Sequence, residues 1–362
     1  MNDIAAEDAA TKPARSPKAG RDTARAPAVK TVNLALQGGG AHGAFTWGVL
    51  DRLLEEPNLA FEGVSATSAG AMNASVLAYG LTIGGRDGAK KALTNYWRRI
   101  SHAAMTSPLQ PSFLDRMLND HSLKYSPAFQ FFDIMTRLMS PYEFNPMNYN
   151  PLRDVVQQSV DFEVLNKPDC PVKLFLSATN VRSGKVKIFE QGELSVDAAL
   201  ASACLPFMFQ AVEINGEAYW DGGYMGNPAL YPLIYSCKSQ DILIVHINPL
   251  ERAEVPKSAS DILNRINEIS FNSSLMREMR AISFVTRLIE SGHLDEGKHV
   301  FIHGISDDAL MTGLGVASKL NADWDFLTHL RDAGRVRGEE WLAGNFAKVG
   351  SESTVDIHAK FL

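Results

Sequence analysis

The stretch Phe61–Ala74, with the sequence FEGVSATSAGAMNA, constrains the fold of this chain more than any other segment. Apolar and small residues run to Thr67, and a helix-forming run follows Ser68. The segment therefore predicts a strand, a sharp turn at the serine and a helix. Such a turn raises the serine hydroxyl clear of the sheet, as a nucleophile elbow does. A serine that only caps a helix would show the same local pattern.

The residues around this serine follow the pattern G-x-S-x-G with one substitution. Ser68 lies between Ala66 on one side and Ala69 and Gly70 on the other, so an alanine replaces the first glycine. Small side chains allow the backbone to bend sharply at this point. Alanine adopts a positive φ less readily than glycine does, and the substitution therefore bears on how well the serine is placed.

A glycine-rich loop precedes this unit by about 30 residues. The run TVNLALQ predicts a strand, the loop Gly38–Gly43 (GGGAHG) follows it, and AFTWGVLDRLLEE has helical apolar spacing. A loop in this position directs backbone N–H groups and the helix dipole at an anion. Dinucleotide phosphates are one such anion, because Gly38, Gly40 and Gly43 satisfy G-x-G-x-x-G. The oxyanion of an acyl-transfer intermediate is the other.

The second predicted strand decides between these two anions. A dinucleotide-binding fold places an acidic residue at the end of that strand, about 20 residues after the glycines. Here the acid is Glu62, at the start of the strand, and the strand ends at Thr67 and Ser68. A nucleophile beside an anion-binding loop favours the oxyanion hole. A nucleotide-binding protein stays as the less favoured alternative.

A third motif lies far downstream. The run AVEINGEAYWDGG predicts a hairpin that turns at Asn215-Gly216 and ends at Asp221, with Gly222 and Gly223 following. Alone, this aspartate would be read as a loop or cap carboxylate. The ordered set of glycine loop, serine elbow and Asp-Gly-Gly resembles the patatin-like phospholipase family over residues 34–234.

The resemblance implies an α/β fold with a central, mostly parallel sheet sandwiched by helices. It also implies a serine-dependent lipid acyl hydrolase of the phospholipase A or carboxylesterase type, with a Ser-Asp dyad and no metal or organic cofactor. The implied site residues are the catalytic Ser68 and Asp221; the oxyanion-hole residues Gly38, Gly39, Gly40, His42 and Gly43; and the supporting residues Ala66, Ala69, Gly70, Gly222 and Gly223.

Two positions depart from the family pattern, and they leave alternatives open. His42 stands where the family usually has Arg or Lys, and Ala66 stands where it has glycine. The loss of a fixed cation weakens the case for a bound phosphate head group. One alternative is a Ser-Asp-His triad esterase or thioesterase that uses His246, His299 or His303. Another is an inactive lipid-binding module in which the alanine misplaces the serine.

Composition narrows the class of partner and the compartment. The net charge is −6, so no overall basic field indicates nucleic acid. The three cysteines lack metal spacing, and because Cys204 and Cys237 lie in apolar runs we expect buried free thiols in a reducing cytoplasm. No apolar run reaches the roughly 18 residues of a spanning helix, and no signal peptide is evident. We therefore expect a cytoplasmic protein, or one peripheral at a membrane through transient surface contact, acting on a lipid or acyl ester. The oligomeric state is left open.

The chain divides into three predicted parts, and the second contains an insertion. Residues 1–30 are expected to be a disordered tail, 31–250 the catalytic domain, and 251–362 a helical C-terminal extension packed on the core. Within the catalytic domain, residues 105–149 hold five of the twelve methionines and many aromatic residues. We predict that this insertion acts as a lid over the site, with a subdomain core as the alternative. The final run TVDIHAKFL alternates apolar and polar residues, which predicts a half-buried strand.

Overall fold

A computed structural model of the chain describes residues 28–362, apart from 108, 113–114, 116–122, 124 and 295–296. Most of the predicted tail and part of the predicted lid therefore lie outside the described residues.

An eight-stranded mixed sheet forms the centre of the molecule. Its strands are β1 (Lys30–Leu36), β2 (Leu59–Ala66), β3 (Lys173–Asn180), β4 (Val186–Phe189), β5 (Val212–Ile214), β6 (Glu217–Asp221), β7 (Asp241–Val245) and β8 (Phe301–Ile305). The order is β5-β6-β3-β2-β1-β7-β8, and β4 pairs with β3. The pairs from β3 through β2, β1 and β7 to β8 are parallel, and the pairs that involve β4, β5 and β6 are antiparallel. The predicted mostly parallel sheet is confirmed.

Helices cover both faces of this sheet, as predicted. The described helices are α1 (Gly43–Leu53), α2 (Ala69–Met105), α3 (Pro127–Leu138), α4 (Pro141–Phe144), α5 (Pro151–Ser159), α6 (Phe162–Leu165), α7 (Val196–Ser202), α8 (Tyr231–Ser236), α9 (Ala259–Glu290), α10 (Asp308–Gly313), α11 (Trp324–Asn345) and α12 (Ile357–Phe361). Along β1, Leu34 and Leu36 pack with α1, α2 and α11, whereas Ala35 packs with α8, α9 and α12. Successive side chains of a strand point to opposite faces, so the two cores lie on opposite sides. None of the described helices is long and apolar enough to cross a membrane.

The C-terminal region is tied to the catalytic core at two places. Strand β8 pairs in parallel with β7 and so extends the sheet. Helix α11 packs closely along α1, the helix that follows the glycine loop. A Cβ on Gly334 of α11 would lie 2.1 Å from the carbonyl oxygen of Phe45 in α1, a distance at which no side chain fits. The two helices therefore touch through their backbones at this point.

The predicted strand at the C-terminus is wrong. The chain approaches the edge of β8, where the N–H of Val355 donates to the carbonyl oxygen of Ile302 at 3.2 Å, and then turns into the short helix α12. Asp356 caps this helix by accepting the N–H of Ala359 at 3.0 Å. A capping aspartate ends an extended run, because its side chain satisfies the first free N–H groups of a helix.

The described part of the predicted lid buries Leu123 but leaves most of its other apolar side chains exposed or partly exposed. Helix α3 buries none of its residues. The exposed large apolar residues of the segment include Phe131, Ile134, Leu138, Met139, Tyr142, Met147 and Tyr149. The segment contacts the chain after α7, where the N–H of Ala211 donates to the Tyr142 hydroxyl at 3.2 Å. Its described residues thus present a surface more than a core of their own, and the lid stays a prediction.

The contact between α1 and α11 can be tested with two glycines of the same helix. We expect Gly334→Ala to lower the free energy of unfolding by roughly 1–3 kcal/mol, because the new methyl group must push the helices apart. Gly344→Ala is the matched control, since a Cβ there meets nothing within 4 Å. Alanine favours a helix over glycine, so this variant should gain up to about 1 kcal/mol. Urea unfolding measures both. A Gly334→Ala protein as stable as the wild type would contradict the close packing.

Candidate active site

Ser68 occupies a strained turn between β2 and α2. Its φ of 55° and ψ of −124° lie where residues other than glycine are rarely found. Strain of this kind persists only where the surrounding structure enforces it, and it is a feature of nucleophile elbows. The N–H of Ser68 donates to the Ser202 hydroxyl at 3.0 Å, which helps to hold the turn. The predicted strand, turn and helix are all present.

Ala66 does not need the backbone freedom of glycine. It is the last residue of β2, pairs with Leu36 of β1 and Leu176 of β3, and is fully buried. It has no positive φ, because the positive φ of the elbow falls on Ser68 itself. The sequence departure at this position therefore places no strain on the turn.

The glycine loop lies directly against the elbow. A Cβ on Gly38 would lie 2.5 Å from Cβ of Ser68, so only glycine allows this approach. Gly40 has a φ of 59°, and its Cβ would lie 2.4 Å from the carbonyl oxygen of Lys319. Added Cβ atoms would also meet neighbouring atoms within 3 Å at Gly39, Gly43, Gly70, Gly222 and Gly223. Most of the motif glycines thus lie in close contacts that leave little room for a side chain.

The loop leaves backbone N–H groups available beside the serine. The N–H of Gly38 is already used, because it donates to Oδ1 of Asn227 at 2.7 Å. The N–H groups of Gly39 and Gly40 donate to no acceptor among the residues that the structure describes. Free N–H groups next to a nucleophile are the donors that an oxyanion requires.

Strand β3 pairs with both β2 and β6, and this pairing brings Asp221 close to Ser68. Leu176 of β3 pairs with Ala66, just before the elbow, and Ala178 pairs with Asp221 at the end of β6. These two β3 residues are separated by about 7 Å along the strand. One strand therefore brings the elbow and the aspartate together although they are far apart in sequence.

The Asp221 carboxylate is fully buried and only partly satisfied. Its Oδ1 accepts the N–H of Gly223 at 2.7 Å, and its Oδ2 has no hydrogen-bond partner in the described part of the chain. The Ser68 side chain is near enough to lower the pKa of this carboxyl, although no hydrogen bond of ordinary geometry joins the two. Burial dominates and raises the pKa of Asp221 to about 7, against the opposing effects of Gly223, Ser68 and Lys319.

A polar network that the sequence analysis missed fixes the glycine loop. Oε1 of Gln37, which follows β1, accepts the N–H groups of Ile247 and Asn248 after β7 at 3.0 and 3.1 Å. Nδ2 of Asn248 donates to the carbonyl oxygen of Gly38 at 2.7 Å, and Nζ of Lys319 donates to Oδ1 of Asn248 at 2.9 Å. The available signal was positional: Gln37 and Asn248 are polar residues at the carboxyl ends of apolar parallel strands, where sites tend to form.

His42 contributes no fixed charge to the loop. Its Nε2 lies 2.8 Å from the Ser318 hydroxyl, and the ring is buried. Burial, together with the nearby Lys319, holds the pKa of His42 well below its usual 6.5. The imidazole is therefore neutral near pH 7.

The three histidines considered for a triad have other surroundings. His303 lies 2.9 Å from the carboxylate of Asp241, at the start of β7, and His299 lies 3.5 Å from Glu290. His246 is buried with no hydrogen-bond partner among the described residues, and burial lowers its pKa to about 3. None of the three histidines forms a hydrogen bond with Ser68 or Asp221.

No group of three described His, Cys, Asp or Glu residues has the geometry of a metal site.

The raised pKa of Asp221 predicts a pH-dependent cost to stability. The folded state binds this proton more tightly than the unfolded state does, so the cost appears as the pH rises from about 4 to about 7. Asp221→Asn should remove it. We expect a gain in unfolding free energy of the order of 2–4 kcal/mol at pH 8 and little change at pH 4. Urea unfolding at both pH values, with the exposed Asp169→Asn as control, measures this. An equal effect at both values would contradict the assignment.

The chain is similar to known proteins in sequence and in structure. Residues 34–234 match the family model described as Patatin-like phospholipase. The structure is similar to VipD from Legionella pneumophila, with 15% identity, a TM-score of 0.41, and coverage of 86% of this chain and 66% of that chain. It is also similar to the ExoU–SpcU complex of Pseudomonas aeruginosa, with 19% identity, a TM-score of 0.33, and coverage of 68% and 51%.

The chain thus spans less than two thirds of the length of either structure, and likeness at these TM-scores carries no weight for function. No curated protein sequence matches it. The family match covers more than half of the 362 residues and includes all three motifs. The protein is therefore a member of the patatin-like phospholipase family, a family of lipid acyl hydrolases.

Proposed function

We propose that this protein hydrolyses lipid acyl esters, as a phospholipase A or carboxylesterase, through a dyad of Ser68 and Asp221. The observation that carries the proposal is the buried Asp221 carboxylate, which keeps one oxygen unpaired close to a serine in a strained turn. A structural carboxylate of this burial would be expected to pair both oxygens, because an unpaired buried acceptor is costly. A base that must accept a proton keeps one oxygen available.

The residues suit a two-step acyl transfer. Oγ of Ser68 attacks the ester carbonyl carbon, and Asp221 accepts the hydroxyl proton. The negative charge that develops on the carbonyl oxygen is stabilised by the N–H groups of Gly39 and Gly40. Asp221 returns the proton to the leaving alcohol, and an acyl-serine remains. Water then attacks this ester with Asp221 again as base, which releases the fatty acid and restores Ser68.

The pKa of Asp221 supports this role. An ordinary aspartate is a poor base near neutral pH, because its conjugate acid has a pKa near 4. Burial raises the pKa of Asp221 to about 7, where a group can both accept and return a proton during turnover.

The alternatives are less well supported by the surroundings of the site. The surroundings of His246, His299 and His303 favour a dyad over a triad. The extended backbone of Ala66 argues against an inactive module, since this residue does not displace the serine. A serine elbow pressed against the glycine loop argues against a nucleotide in that loop.

The dyad can be tested with a fluorophosphonate probe and three variants. We expect the probe to label the peptide that contains Ser68. Ser68→Ala and Asp221→Asn should each lower ester hydrolysis by about 10³-fold or more, and the double variant should be scarcely worse because the two residues act as a unit. Folded His246→Gln and His303→Gln proteins serve as controls and should keep measurable turnover. If either were as inactive as Ser68→Ala, the triad would replace the dyad. A folded wild type that is neither labelled nor active would indicate a binding module.

We further propose that the insertion 105–149 contacts the acyl chain and touches a membrane surface transiently. Its exposed Phe131, Leu138 and Met147 form an adaptable apolar surface without a fixed partner in the described residues. We also propose that the protein is located in the cytoplasm, at the periphery of a membrane.

If the insertion contacts the acyl chain, the effect of a substitution there on kcat/KM should depend on the length of the substrate's acyl chain. Phe131 is 64% exposed, so Phe131→Ala should cost little stability. We expect it to lower kcat/KM on long-chain esters several-fold and to leave butyryl esters nearly unchanged. Phe284→Ala is the control, because that phenylalanine is 54% exposed on α9 and outside the insertion. A uniform loss across chain lengths with a lower Tm would instead mean that Phe131 supports the fold.

A further inference from the structure

A cation from the C-terminal region lies against the glycine loop. Lys319 belongs to a short 3-10 turn, Val316–Leu320, far beyond the part of the chain that the family match covers. Its Nζ donates to Oδ1 of Asn248 at 2.9 Å and lies 5.7 Å from the ring centroid of Phe271. Its carbonyl oxygen is packed against Gly40, where a Cβ would come within 2.4 Å. Three independent contacts therefore fix this lysine.

Each of these contacts leads to a catalytic motif. Asn248 holds the carbonyl oxygen of Gly38, so one contact reaches the glycine loop. Phe271 packs on the Asp-Gly-Gly block, where its ring would be 2.3 Å from a Cβ on Gly223. The Lys319 ammonium consequently lies between the two motifs that flank the serine.

The charged neighbours of Lys319 favour its protonated form. Burial and Arg252 lower the pKa of Lys319 to about 8, while Glu268 and Asp221 oppose that effect. Glu268 is already paired with Arg252 and with Arg265, at 2.5 and 3.2 Å. Asp221 has no such cation of its own. The lysine is thus still largely charged at pH 7, and its charge lowers the pKa of Asp221.

The other titratable groups near Asp221 are neutral at pH 7. Burial and the aspartate itself raise the pKa of Cys204 and of Tyr224 to about 12. The pKa of His42 is held well below its usual value, so its ring is also uncharged. Lys319 is therefore the charged side chain that lowers the pKa of Asp221.

We propose that Lys319 is a positioning residue of this active site: its hydrogen bond to Asn248 holds the glycine loop, and its ammonium favours the ionised form of Asp221. The positive charge that the loop lacks at His42 is supplied from the opposite end of the sequence. This inference rests on the proposed dyad, because it assigns Lys319 a role only if Asp221 is the base.

The test is the pH dependence of fluorophosphonate labelling at Ser68 in the full chain. Lys319→Gln keeps an N–H donor for Asn248 and removes the charge. We expect the pH at which the labelling rate is half-maximal, the midpoint, to rise by roughly one pH unit. This shift makes labelling about fivefold slower at pH 7. The two proteins should converge near pH 9, where the wild-type lysine has also lost its charge.

Three further variants complete the experiment. Lys319→Arg keeps a cation and should return the midpoint towards the wild-type value. Lys257→Gln removes an exposed lysine and should leave the curve unchanged. If Lys319→Gln does not fold, Lys319→Met, which is similar in length, removes the hydrogen bond to Asn248 as well as the charge, and it should show the same upward shift of the midpoint together with slower labelling at every pH.

Two outcomes overturn the inference, and they can be told apart. A folded Lys319→Gln protein that is labelled more slowly at every pH, with an unchanged midpoint, would mean that the lysine only holds the loop. If the wild-type protein is not labelled at Ser68, the proposed dyad is wrong, and the role inferred for Lys319 is wrong as well.

Discussion

The site depends on a carboxylate that is kept out of water. Asp221 is fully buried, and its ionised form is disfavoured in the folded protein, so its burial is a cost that the rest of the fold must offset. Three groups reduce that cost, because the Gly223 N–H, the Ser68 hydroxyl and the Lys319 ammonium all lower the pKa of the carboxyl. They do not cancel the effect of burial. The resulting pKa near neutrality suits the role of base that we propose for this aspartate.

Close packing of glycines brings these features together. The glycine loop meets the elbow at Gly38, and the Asp-Gly-Gly block meets β3 at Gly222, at distances where a methyl group would not fit. The serine then absorbs the one strained backbone conformation at the junction. Strain at Ser68 and burial at Asp221 are both destabilising, and extensive helix and sheet packing on both faces of the sheet compensates for them.

The sequence predicted those parts of the site that are local. Glycines before a helix, a serine between small residues and an aspartate after a hairpin are short patterns, and each was found in the expected place. Contacts between distant segments left no such trace. Lys319 reaches the loop from more than 270 residues away, and nothing in its own neighbourhood marks it. The concern about Ala66 arose because a motif does not state which residue carries the positive φ. The final segment was misread because alternation over a few residues does not exclude a helix capped by Asp356.

The packing of α11 on α1 has a consequence for how the protein is made. The helix after the glycine loop is synthesised early, but Gly334, its backbone partner, is translated nearly 290 residues after Phe45. Strand β8 and Lys319 also follow Phe45 by more than 250 residues. Contacts of such long sequence separation form late, because the intervening chain must first be ordered. A nascent chain that has just completed Ser68 and Asp221 therefore still lacks β8, α11 and Lys319. The surroundings of the candidate site are complete only after the last third of the chain has been synthesised and packed against the glycine loop.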